Sequence, residues 1–99
     1  MTGAEGKAAV DENVVYIGRK ELMSYVLAVA TQFKKGAREV HIKARGNAIP
    51  RAIETADVAR AKFVQGVKAK DIIIGMDLVE GVGGSRSKVP VIEIILERP

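Results

Sequence analysis

Apolar residues follow two different periods along the chain, which predicts strands alternating with helices. Residues 13–18 (NVVYIG) form a short β-branched and aromatic run that ends at a glycine, as is typical of a buried strand. Between residues 20 and 35, apolar side chains recur at helical spacing, as one face of an amphipathic helix requires. Gly36 then suits a left-handed helix cap. The predicted buried stripe of this helix is Leu22, Met23, Val26, Leu27, Ala30 and Phe33.

Residues 39–45 alternate between apolar and polar side chains, which predicts a second strand with one buried face. We interpret His41 in this strand as an ordinary structural residue, because no second histidine or cysteine could share a metal ion with it. The polar face of the strand carries two cations beside this histidine, namely Lys43 and Arg45, whereas the core face carries Val40, Ile42 and Ala44.

A second helix is expected over residues 48–64. Asn47 is a candidate N-cap, and Pro50 is tolerated in a first helical turn. Gly66 follows the apolar pattern and predicts the end of the helix. The predicted buried stripe is Ile49, Ile53, Ala56, Ala59 or Arg60, and Phe63.

The C-terminal third predicts a long β-hairpin. Residues 71–80 and 89–97 are rich in Ile and Val, and the glycine-rich, basic residues 81–88 between them predict a flexible tip. The element order is then β-α-β-α-β-β. Two helices that bury one face each against a mixed four-stranded sheet make an α/β (α+β) two-layer sandwich, in which the last two strands form an extended hairpin arm.

Length and composition favour one small intracellular domain. The chain has 99 residues and 47% hydrophobic residues, which is enough for one modest core. Residues 1–12 lack apolar periodicity and are expected to be a disordered tail, so that the domain covers residues 13–99. No apolar run approaches a membrane span or a signal peptide, so we expect a soluble protein, by default cytoplasmic, with no membrane partner. The absence of cysteine excludes disulfides, thiolate zinc sites and cysteine nucleophiles.

Positive charge is concentrated in the middle of the chain. Residues 14–70 hold twelve basic and four acidic residues, a segment charge of +8, whereas the flanks hold −4. Such a surplus favours a polyanionic partner, since phosphate contacts supply most of the energy of sequence-independent nucleic-acid binding. A thermostable protein with a lysine-rich solvated surface would show the same surplus.

Three motifs resemble the Alba family of small archaeal chromatin proteins. Residues 13–20 (NVVYIGRK), followed by residues 23–27 (MSYVL), are similar to the start of these proteins. Residues 42–46 (IKARG), continuing through Ala48, Ile49 and Ala52, resemble the most recognisable signature of the family, and residues 92–94 (IEI) fit its last strand. The resemblance extends over roughly residues 12–98.

The resemblance implies sequence-independent binding of double-stranded DNA by a homodimer, or by a heterodimer with a paralogue. Family members coat and compact chromosomal DNA, with two hairpin arms along the minor groove, and relatives also bind RNA. Arg19 and Lys20 would meet the DNA backbone at the dimer centre, and Phe63 would pack dimers side by side. The remaining implied DNA-binding residues are Lys43, Arg45 and Asn47 in the signature loop and Arg86 and Lys88 in the arm. The expected location is then the nucleoid.

Two positions depart from the family pattern. Arg19 stands where some relatives carry an acetylated lysine, so only Lys20 offers a neighbouring acetylation site. Asn47 stands where several relatives carry a basic residue, which removes one phosphate contact.

Alternative functions remain open at this point. The same cationic surface could clamp structured RNA by shape, or the protein could be an assembly component without nucleic acid. We find no catalytic constellation and expect neither an enzyme nor a cofactor or metal. Glu54 and Asp57 are better explained as ion-pair partners of basic residues on the helix surface than as a catalytic acid/base pair. The serines lack a residue that could act as their general base. The aromatic residues mostly fit the core better than a base-stacking surface; they are Tyr16, Tyr25, Phe33 and Phe63.

Overall fold

The computed structural model describes residues 13–99 and has the predicted element order. A 3₁₀ turn precedes the second helix and a π-helical turn, Ala59–Phe63, continues it. The predicted disordered tail lies outside the described residues. The strands are β1 (Val14–Tyr16), β2 (Glu39–Arg45), β3 (Lys68–Glu80) and β4 (Arg86–Glu97), and the helices are α1 (Leu22–Lys34) and α2 (Ile49–Val58).

The four strands form one mixed sheet in the order β1-β2-β4-β3. β1 pairs parallel to β2, as the α1 crossover between them requires, and the two other pairings are antiparallel. Both helices pack on one face of this sheet, which we call the helix-side face; the opposite face is the outer face. The predicted two-layer α+β sandwich and its β3–β4 hairpin are confirmed.

The core lies between the helices and the middle of the sheet. Val40, Ile42 and Ala44 of β2 are buried, as their alternation predicted. Ile42 pairs with Ile94 of β4 across the sheet, and Leu96 is also fully enclosed. The outer face of β2 therefore presents its polar side chains to solvent, Lys43 and Arg45 among them.

The buried stripes of both helices are rotated from the predicted ones. In α1, Tyr25 and Val29 are buried, whereas Met23 and Leu27 are exposed. The apolar residues of α1 occupy more than half of its circumference, so their spacing alone could not show which of them are buried. The buried face of α2 consists of small residues, which allow close packing: Ala52, Thr55 and Ala56, followed by Ala59 in the π-helical turn. Ile53 lies outside this face and is exposed.

The proposed capping role of Asn47 is wrong. Asn47 lies inside the 3₁₀ turn Gly46–Ala48, and Ala48 occupies the N-cap position of α2 without a side-chain cap. Pro50 does lie in the first turn of α2, where its missing N–H costs no intrahelical bond.

The hairpin is longer and its turn tighter than predicted. Only residues 81–85 leave the ladder, so Arg86 and Lys88 belong to β4 and not to the loop. The Gly81 N–H donates to the Ser85 carbonyl at 2.6 Å, and Gly83 adopts a φ of 72°, a conformation that favours glycine. Neither helix within residues 13–99 has the length and apolarity of a membrane-spanning segment.

Candidate nucleic-acid interface

A buried tyrosine holds the loop that carries the first pair of candidate cations. The hydroxyl of Tyr25, on α1, accepts hydrogen bonds from the backbone N–H groups of Gly18 and Lys20, both at 2.9 Å. A Cβ at Gly18 would approach this oxygen to 3.3 Å, so glycine permits the close contact. The backbone of the loop is thereby fixed while the side chains of Arg19 and Lys20 remain exposed.

Arg51 ties this loop to the second helix. Its Nη1 donates to the Lys20 carbonyl at 2.9 Å. Arg51 lies in the first turn of α2, which contains no acidic residue, so its charge opposes the helix dipole. Arg51 was not among the predicted binding residues.

Arg19, Arg45 and Arg51 line one open concavity at the end of the sheet. Its volume is about 690 Å³, and its walls come from the loop after β1, the end of β2 and the start of α2. Asn47 lines it too, and Glu54 is the one carboxylate among residues 13–99 that lines it. We call this site the basic concavity. It brings together three of the predicted binding residues and adds Arg51.

Lys43 lies on the outer face and not in the basic concavity. It pairs with Tyr16 of β1 in the strand register, and its Nζ lies 6.0 Å from the centroid of the Tyr16 ring. Arg45 lies two residues further along β2. It lines the basic concavity and also a second cavity, on the outer face of the sheet. Its guanidinium donates to Asp77 of β3 at 2.9 Å.

His41 belongs to an ion-pair network on the same outer face. Its Nδ1 lies 2.5 Å from a Glu93 oxygen and its Nε2 lies 3.3 Å from a Glu39 oxygen. The Lys70 ammonium also contacts Glu39, and these hydrogen bonds from Lys70 and His41 lower the pKa of the Glu39 carboxyl. The same contact raises the pKa of Lys70. Among residues 13–99, no group of side chains has the composition of a metal site.

Arg86 and Lys88 lie on β4, apart from the basic concavity. Their alternation with buried Ile94 places both on the helix-side face of the sheet, close to the turn. The Arg86 guanidinium lies 3.9 Å from Glu80, and both side chains are mostly exposed. Strands of 13 and 12 residues reach about 40 Å at roughly 3.3 Å per residue, which gives the molecule its longest dimension of 47 Å.

Two apolar surfaces remain uncovered within residues 13–99. The first combines Phe63, 44% exposed, with Leu27 on α1. The second, which we call the apolar hairpin face, lies on the helix-side face of β3, beyond the cover of α1 and α2. It consists of Ile72, Ile74, Met76 and Leu78.

Comparison with known proteins identifies the family. The Alba family model matches residues 13–75, which is more than half of the chain. The chain belongs to the Alba family. It is 46% identical to the DNA/RNA-binding protein Alba of Methanocella arvoryzae, over 90% of this chain and 93% of that protein. It is 48% identical to DNA/RNA-binding protein Alba 1 of Archaeoglobus fulgidus, over 88% of this chain and 97% of that protein.

Solved Alba structures have the same fold as this chain. The structure of Alba from Thermoplasma volcanium superposes with a TM-score of 0.83 at 41% identity, covering 87% of this chain and all of that one. Alba1 from Trypanosoma brucei superposes with a TM-score of 0.71 at 26% identity, covering 88% of this chain and 69% of that one. The curated relatives bear the names of binding proteins and not of enzymes.

Proposed function

We propose that this Alba-family chain binds double-stranded DNA as a homodimer, without reading its sequence, and so coats and compacts chromosomal DNA. The observation that carries the proposal is the basic concavity, an open cavity that three arginines from three separate elements line. A phosphate accepts bidentate hydrogen bonds from the planar guanidinium group of arginine. The names of the relatives favour the same class of ligand.

The hairpin supports a second contact with the duplex. Arg86 and Lys88 project from a ribbon narrow enough to follow a minor groove, where cations read width and A·T content but little sequence. No helix in residues 13–99 presents a row of base-reading side chains. Binding is therefore expected to depend on backbone charge and groove shape, as a nucleoid coating protein requires.

The apolar hairpin face supports the dimer. Four large apolar side chains on one strand face form a patch that a monomer would leave in water. β3 is also an edge strand, so the backbone groups along its free edge lack a strand partner within residues 13–99. A second copy related by two-fold symmetry would cover the same patch on both chains. A heterodimer with a similar paralogue would use the same face.

The salt dependence of binding tests the proposed function. If a dimer neutralises about five phosphates, the plot of log K against log salt for a random-sequence duplex should have a slope near −4.5. Titration of the full chain at four salt concentrations, followed by fluorescence anisotropy, gives this slope. Absence of binding at low salt, or a slope near zero, would show that the basic concavity does not contact phosphates.

RNA is the second candidate ligand, favoured by the names of the curated relatives. The basic concavity could clamp an A-form duplex through its phosphates as well as B-form DNA. Competition between DNA and RNA duplexes of matched length and sequence separates the two. Displacement of bound DNA by an equimolar RNA duplex would make RNA the preferred ligand.

Phe63→Ala should weaken cooperative coating of long DNA and leave the binding of an isolated dimer intact. We propose that Phe63 and Leu27 form the contact between neighbouring dimers, because both are exposed and line one apolar depression. The measurement compares Hill coefficients on a long duplex with affinity for a duplex that accommodates one dimer. Unchanged cooperativity on the long duplex would contradict this role.

Lys20 is proposed as the site at which acetylation would modulate binding. Its side chain is exposed beside Arg19, while its backbone is held by Tyr25 and Arg51. Acetylation would remove one positive charge without disturbing the loop.

A further inference from the structure

An aromatic ring lies uncovered on the outer face of the sheet. Tyr16 is 58% exposed, although its neighbour Val15 is buried in the core. Strand alternation places Tyr16 on the outer face, in one row with Lys43, Glu93 and Ile73. Most aromatic residues were expected in the core; Tyr25 and Phe33 are there, and Tyr16 is not.

The next row of the sheet leaves a cavity beside this ring. Arg45, Val91 and Gly75 form that row, and the missing side chain at Gly75 lowers its far end. A Cβ at Gly75 would lie 3.5 Å from Val91 Cγ2, so the depression has an apolar floor. The cavity has a volume of about 570 Å³ and Tyr16, Lys43 and Arg45 lie along one side of it. A cavity of this volume has room for a nucleobase.

Lys43 is the cation of this cavity that is available to an anionic ligand. Two carboxylates of residues 13–99 line it: Asp77 forms an ion pair with Arg45 at 2.9 Å, and Glu93 is hydrogen-bonded to His41 at 2.5 Å. No carboxylate of residues 13–99 lies within 4.0 Å of the Lys43 ammonium. Lys43 lies 6.0 Å from the Tyr16 ring centroid, the outer limit of a cation–π contact, so a stacked base could displace it towards a phosphate.

We propose that the outer face binds an unpaired nucleotide of single-stranded nucleic acid, with the base stacked on Tyr16 and its phosphate beside Lys43. An exposed aromatic ring next to a cation on a sheet is the combination with which proteins hold single strands. Arg45 lines both this cavity and the basic concavity, so a strand leaving a bound duplex reaches the ring directly. The passage of a strand from a bound duplex to Tyr16 rests on the proposed function. The binding of a free single strand at Tyr16 does not.

Substitution of Tyr16 tests the proposal. The full chain, Tyr16→Ala and Tyr16→Phe are titrated with three labelled probes: a 12-nucleotide oligo(dT), a 12-nucleotide oligo(U) and a random duplex. Loss of one stacked base should weaken single-strand binding about tenfold in Tyr16→Ala. Tyr16→Phe keeps the ring and should bind within about twofold of the parent. Duplex affinity should be the same for all three proteins, since Tyr16 does not line the basic concavity.

The outcomes distinguish the stacking site from a general cationic effect. A tenfold loss on either single strand, restored by phenylalanine, supports the proposal and shows whether DNA, RNA or both use the ring. Equal loss on the single strands and the duplex, or no loss on either single strand, overturns it. A parent that binds single strands through Tyr16 but does not bind the duplex would refute the proposed function alone.

Discussion

The Arg19→Ala/Lys20→Ala variant is expected to bind duplex DNA about 10- to 100-fold more weakly at 0.1 M salt, with a slope shallower by roughly one to two units. Both side chains are exposed on a loop whose backbone is fixed by Tyr25 and Arg51, so their removal takes away charge and leaves the loop in place. The measurement is the same salt titration as for the parent protein.

Lys34→Ala/Lys35→Ala is the matched control for this variant. It removes the same charge from exposed positions at the opposite end of α1. If the basic concavity is the site of contact, the control should keep affinity within about twofold. Equal weakening by both double variants would mean that only the net charge matters, and the proposed interface would be wrong.

Ile74→Asp is expected to convert the proposed dimer into a monomer. Ile74 is 77% exposed in the single chain and lies at the centre of the apolar hairpin face. Burial of such a side chain contributes about 1.5–3 kcal/mol to the free energy of association. In a two-fold symmetric dimer both subunits lose this contribution, so the dimer dissociation constant should rise at least about 100-fold. Sedimentation equilibrium at micromolar concentration gives the change in oligomeric state.

The adjacent residue provides the control for the dimer prediction. Ile73 is 48% exposed on the same strand and points to the outer face. Ile73→Asp therefore introduces the same charge one position away, and the protein should remain dimeric. A dimer that survives Ile74→Asp, or that both substitutions dissociate equally, would argue against the apolar hairpin face as the interface.

Much of the fold follows from local patterns in the sequence. The alternation of Val40, Ile42 and Ala44 predicted both the bounds and the buried face of β2, because a strand has only two faces. A helix offers no such binary choice. α1 carries apolar residues on several sides, and which of them are buried depends on how closely α2 and the sheet approach.

The candidate binding site could be predicted in part. Arg19, Arg45 and Asn47 were selected from the family resemblance, and the structure gathers them in one concavity. Arg51 was missed because its place beside the Lys20 carbonyl depends on the packing of α2 against the first loop. Tyr16 could not be assigned to the outer face without the register between β1 and β2, since a short strand with apolar residues throughout reads the same either way.

The hairpin also divides the molecule into parts of unequal local stability. Ile94 and Leu96 anchor its base in the core, whereas no residue between 71 and 93 is buried. The proposed dimer covers the apolar hairpin face, so local opening is expected beyond Leu78. There it breaks backbone hydrogen bonds without exposing core side chains, and those amide protons should exchange with solvent far sooner than those of β2. The distal hairpin can thus change its curvature while the body stays folded, which the proposed contact with grooves of varying width requires.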